Sequence, residues 1–230
     1  MKIPKRTDGQ KANAQTKCGR LYRISCEKSI ILDDESYFIL AHSTINSNNI
    51  FYSSNVSQTS PTVKYMPTAK YEKKLLVWLC FSDKGISKPI FRESGFAVNQ
   101  EIYLHDCIKK KLVPFIEQYH SDGEYIFWPD LASSHYANSV QDYMNEKNIN
   151  FVKKEDNPAN LPECRPIEDF WSILKGKVYE NNWQAQNLNQ LSNRIKYCLD
   201  NIDKAVVQRL AESTRRRIDY VRRNGLIEMS

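Results

Sequence analysis

The chain has 230 residues, 41% of them hydrophobic, enough for one sizeable core and a small appendage. With 33 Lys+Arg against 27 Asp+Glu, the net charge of +6 favours an anionic partner without requiring one. No run of 18 or more apolar residues occurs and the basic opening lacks the apolar stretch of a signal peptide, which argues against a membrane partner; a soluble, intracellular protein is expected.

Residues 1–24 are polar and basic with no sustained apolar period, and they are expected to form a linker or arm outside the core. The rest, 25–230, is expected to be one α/β domain. It opens with "SIILDD" and "SYFILAH", two apolar runs that read as neighbouring strand segments, the first ending in Asp33 and Asp34. Residues 43–70 hold a stretch rich in Ser, Asn and Thr, expected as a projecting loop. "KLLVWLCFS" (74–82) has strand length and composition, and "KPIFRES" follows after Gly85, so a hairpin is expected.

Ile102, Leu104, Ile108, Leu112, Phe115 and Ile116 recur at near-helical spacing, which predicts an amphipathic helix over 99–119, with Pro114 as a kink or end. "EYIFW" (124–128) reads as a strand stopped by Pro129, because proline cannot donate to a ladder. Ser133 or Ser134 is expected to cap a helix running to Asn148, and "INFVKK" to form a short strand. Beyond a proline-punctuated loop, Ile167, Phe170, Trp171, Leu174 and Val178 predict a helix with Pro166 in its first turn. Helices over 187–202 and 203–224 complete the chain, with Gly225 as C-cap. Six cysteines (Cys18, Cys26, Cys80, Cys107, Cys164, Cys198) show no CxxC pair and read as reduced packing thiols.

Chemistry concentrates on carboxylates. In α/β sheets, sites gather at strand ends, and two predicted strands end in acid, the first at Asp33 and Asp34 and the later one at Asp130. Glu168 sits in the first turn of the "PIEDFWSILK" helix, between apolar Ile167 and Trp171, at the edge of its buried face. Taken singly, Asp130 reads as a turn or cap residue and Glu168 as a favourable charge at a helix start. Taken together, three converging carboxylates repel one another unless a divalent cation resolves the conflict. Hard oxygen ligands with open positions suit Mg²⁺ or Mn²⁺ and in-line phosphodiester chemistry, with two ions per site.

These segments resemble the catalytic domain of mariner-like DDE transposases, a family with the RNase H-like fold of retroviral integrases. The likeness runs from about Gln15 to Gly225. "LDDESYF" is similar to the first motif, "FWPDLASSHYA" to the second, and "RPIEDFWSILKGKVY" to the third, with thirty-seven residues between Asp130 and Glu168. The resemblance implies an RNase H-like mixed five-stranded sheet flanked by helices, with additional C-terminal helices. It also implies a DNA strand-cleaving and strand-transferring enzyme in which Asp34, Asp130 and Glu168 are the catalytic metal ligands. Double-stranded DNA, as transposon ends and target, would be the partner, a homodimer an expected assembly, and the nucleus the expected location.

Leu131 stands where the family usually has Asn, and the family's upstream helix-turn-helix modules have no counterpart in these residues. A DNA-binding or interaction protein derived from a transposase, with the triad idle, is therefore the first rival, and a nuclease acting on RNA–DNA hybrids the second. His135, Arg216 and Arg223 are candidate substrate contacts, His135 alternatively an orienting or packing residue. Trp128, Trp171 and Trp183 read as core rather than stacking platforms. The 43–68 segment is a candidate for dimer or DNA contact.

Overall fold

The computed structural model describes residues 6–40, 52–64, 73–93, 98–159 and 161–226. Its centre is a mixed five-stranded sheet. Strand β1 (Ser29–Ile39) lies between β2 (Lys74–Ser82), antiparallel to it, and β5 (Tyr125–Trp128), parallel to it. Two short strands, β3 (Gly85–Ile86) and β4 (Ile90–Glu93), pair antiparallel with opposite ends of β2.

The apolar runs of the sequence are continuous because the sheet is covered on both faces. Ile30, Leu32 and Phe38 of β1, with Leu75, Val77, Leu79 and Phe81 of β2, enter one core layer. Ile31, Trp78 and Cys80 enter the other. Helices α1 (Asp8–Ile24), α6 (Ile167–Val178), α7 (Leu188–Asp200) and α8 (Lys204–Asn224) cover the first face. The second is covered by α5 (Asn138–Glu146) and by a long helix in three parts: α3 (Gln100–Ile102), a π-helical stretch (Tyr103–Leu112) and α4 (Val113–Tyr119).

Several expectations are corrected. Residues 8–24 form a helix and not an arm: Thr7 and Gln10 make a reciprocal capping box, and Ala14, Cys18 and Leu21, spaced to one helix face, are buried with α8. The stripe is one residue wide, too thin to register as a period. The two segments around Asp33 are one strand of 11 residues, so the acids fall mid-strand. The hairpin expectation holds, with "KPIFRES" contributing β4 just after Pro89; between β3 and β4 the Ser87 N–H donates to the Cys80 carbonyl at 2.8 Å.

Pro114 does not end its helix. It follows π turns in which the Val113 N–H donates to the Ile108 carbonyl, a wider winding that precedes the proline ring. Helix α5 starts at Asn138 rather than at the serines, because His135 and Tyr136 are both buried and 133–136 form a turn. "INFVKK" contributes a single parallel bridge, Phe127 with Phe151. The last three helices and the positive-φ cap at Gly225 follow the expectation.

Of the 43–70 segment, 43–51 and 65–70 lie outside the described residues. The described part has a helical turn at Val56–Gln58, a second one, α2 (Pro61–Lys64), and exposed Tyr52 and Val56. No helix among the described residues is long and apolar enough to cross a membrane.

Candidate active site

Pairing between β1 and β5 covers only Ser29–Leu32 against Tyr125–Trp128. Where β5 stops, β1 continues, which sets Asp33 and Asp34 beside Pro129 and Asp130. The pleat then sends the two aspartates to opposite faces. Asp34 points to α6, where the Trp171 indole N–H donates to its Oδ2 at 2.9 Å. Asp33 points the other way and is fully buried, accepting from the Tyr103 hydroxyl (2.7 Å), the Trp78 indole (3.2 Å) and the Asp130 backbone N–H (3.3 Å).

The three sequence-predicted acids meet on one cleft of about 540 Å³: Asp34 from β1, Asp130 from the loop after β5, and Glu168 from the first turn of α6. Arg165 and Asn157 share its wall. Arg165 donates from Nη2 to the Asp33 carbonyl (2.6 Å) and from Nη1 to the Trp128 carbonyl (3.2 Å), clasping the middle of β1 to the end of β5.

Burial pushes the Asp34 carboxyl up to about 7; the charges of Glu168 and Glu35 add to this, and Arg165 opposes it. Asp33 is also raised by burial, against His135, Arg165 and the Tyr103 hydrogen bond. Burial alone would lower the His135 imidazole, but its bond to Glu35 and the charges of Asp33 and Asp130 raise it overall. Lys175, two turns after Glu168 on α6, is lowered by burial, with Glu168 and Asp34 pulling the other way.

His135 is 1% exposed, its ring stacked on Tyr103 at 3.8 Å, Nδ1 3.2 Å from the Asp130 carbonyl and Nε2 3.5 Å from Glu35. Its side chain is buried beside the cleft and is not among the residues that line it. Arg216 and Arg223 are exposed on α8 and do not line the cleft; Arg223 pairs with Asp219 at 3.0 Å. Trp128 and Trp171 are core, while Trp183 is half-buried beneath Arg194. Sequence reading missed Arg165, Asn157, Tyr103 and the separate fate of Asp33. The only signal for the first two was polarity inside a proline-rich loop.

The donor set fits a divalent cation in kind: three hard carboxylates on one cleft, one of them driven toward protonation by burial and a like charge. No group of three His, Cys, Asp or Glu among the described residues is drawn together closely enough to hold an ion by itself.

Over 155 residues the chain is 30% identical to the Tc3 transposase of Caenorhabditis elegans, covering 66% of this chain and 44% of that protein. Over 156 residues it is 26% identical to the Tcb1 transposase of Caenorhabditis briggsae, covering 67% and 54%. No protein-family model matches. The crystal structure of the Mos1 mariner transposase catalytic domain superposes with a TM-score of 0.72 at 14% identity, over 99% of this chain and all of that one. The chain resembles a mariner-like transposase catalytic domain. Its fold is accordingly RNase H-like. A Mos1 paired-end complex with the left transposon end matches at a TM-score of 0.77 and 16% identity, over 97% of this chain and 64% of that one. The domain spans about half the length of the curated relatives it matches.

Proposed function

We propose that this chain is a DDE-type polynucleotidyl transferase that cleaves DNA strands and joins them to a target, using divalent metal ions. The observation that carries the reading is the arrival of Asp34, Asp130 and Glu168, from three separate elements, on one cleft. Mos1 structures with Mg and with Mn, and Mos1 bound to transposon ends, support the choice of ion and of double-stranded DNA as substrate.

Asp34 and Asp130 are the principal ligands, and Glu168 completes a second metal position. When bound, Mg²⁺ or Mn²⁺ supplies charge neutralisation at the phosphate and activation of the attacking water or 3′-hydroxyl. The protein's part is positioning. Trp171 fixes the orientation of Asp34, and the first turn of α6 presents Glu168. Arg165 ties the middle of β1, beside Asp34, to the end of β5 that leads into Asp130. The Lys175 amine lies close enough to Glu168 and Asp34 to feel both of their charges. A nuclear location and a homodimer serving two DNA ends at once belong to the same proposal.

The test is cleavage of duplexes carrying the element's ends, with Mg²⁺ or Mn²⁺. Asp130→Asn should abolish product; activity equal to wild type would refute the assignment. A second reading, a DNA-binding or interaction domain with an idle triad, draws on the absence of a ready-made ion cage among the described residues. Mn²⁺ titration separates the two, because an idle triad binds no ion that Glu168→Gln would remove.

A further inference from the structure

Asp130 lies in a segment, 129–137, that is neither strand nor helix, yet a catalytic ligand needs a fixed backbone. The polar groups along this backbone are held by buried side chains. Arg165 binds the Trp128 carbonyl, and Asp33 accepts the Asp130 N–H. His135 bonds the Asp130 carbonyl. The Pro129 carbonyl accepts from Asn157 Nδ2 at 2.8 Å.

Asn157 stands apart because it grips both ends of the segment. Its Nδ2 also donates to the Tyr136 hydroxyl at 2.7 Å, and its Oδ1 accepts from the Trp128 indole at 2.7 Å. Tyr136 in turn donates to the Val152 carbonyl at 2.9 Å. Asn157 is 2% exposed, and these three bonds use three of the four that its amide can make. Its own carbonyl accepts from Lys17 Nζ of α1 at 3.0 Å. Next to it Asp156 pairs with Arg20 of the same helix at 3.1 Å, and Arg6 pairs with Glu163 at 2.8 Å, both side chains nearly buried.

We propose that Asn157 is the positioning residue of Asp130: it closes the 129–137 segment into a bracket and, through Lys17, anchors that bracket to α1. A positive side chain on α1 thus connects to the candidate site through a single residue. The catalytic half of this inference rests on the function proposed above; the structural half does not.

The experiment compares wild type with Asn157→Leu, similar in volume but without polar atoms, by three measurements. Amide exchange should quicken about tenfold over 129–137 with little change in β2. Mn²⁺ affinity, read by the spin-resonance signal of the free ion, should weaken. In cleavage of end-containing duplex, kcat should fall on the order of 10²-fold with KM for DNA unchanged. Exchange that rises equally across the sheet, or a looser segment with unaltered Mn²⁺ affinity and kcat, would overturn the proposal. Should Asn157→Leu fail to fold, Tyr136→Phe, which removes one hydroxyl, is measured in its place; unchanged exchange over 129–137 there overturns it equally. If wild type neither binds Mn²⁺ nor cleaves, the proposed function falls and the positioning role with it, while local exchange still reports whether Asn157 holds the segment.

Discussion

Asp33 and Asp34 are chemically identical neighbours whose roles are divided by the pleat of one strand. Asp33 is enclosed by Tyr103 and Trp78 and serves the backbone of Asp130; Asp34 faces α6 and the cleft. In the metal-free protein the raised Asp34 carboxyl has a consequence with a definite sign. Its folded-state value, about 7, exceeds the ordinary 3.8, so the folded state binds the proton more tightly than the unfolded chain does. Stability should therefore fall as pH rises from about 4 to about 7 and level off above, the total being on the order of a few kcal/mol. Asp34→Asn should flatten that part of the profile in denaturant titrations run with chelator; a variant profile parallel to wild type would contradict the electrostatics. Trp171→Phe keeps an aromatic ring but loses the indole N–H that bonds Asp34. It should weaken Mn²⁺ binding and kcat roughly tenfold, the value of one charge-assisted hydrogen bond.

Among the elements, α1 departs furthest from its sequence. Its basic residues suggest a solvated arm, but Leu21 and Cys18 are completely buried and the Tyr22 ring lies between Arg215 (4.4 Å) and Arg222 (4.2 Å) of α8. Leu21→Ala should cost about 2–4 kcal/mol in urea unfolding, as for a core leucine; a change within about 0.5 kcal/mol would return α1 to the status of an arm. Strand β2 and helices α6–α8 were legible because each is long and periodic or uniformly apolar, whereas the acids in the middle of β1 split it into two segments. The failures were local. Pro114 signalled a break that π winding absorbs, and the serines before α5 signalled a cap although burial of His135 and Tyr136 sets the helix start. Of the candidate site, the three acids that line the cleft were readable from their motifs. The residues that hold them were not, since Asn157 and Arg165 acquire meaning only when loops distant in sequence are brought together.

For the whole molecule, the sheet acts as a frame that brings one acid from its central strand, one from a parallel neighbour's end and one from a covering helix to a common cleft. The burial of both faces makes that frame rigid, and the positive surplus of the chain, +6, suits a polyanionic partner. Affinity for duplex DNA should therefore drop as salt is raised, in a log–log plot whose slope counts the phosphates neutralised; salt-independent binding would speak against a phosphate-led interface. The central claim is that the three carboxylates share a metal. A crystal soaked in Mn²⁺ and measured for anomalous scattering tests it most directly. A peak within about 2–2.4 Å of oxygens from Asp34 and Asp130, with Glu168 completing the site and the peak lost in Asp130→Asn, is the predicted result. A fully soaked cleft with no peak between the acids, or a Mn²⁺ site that omits both aspartates, would contradict it.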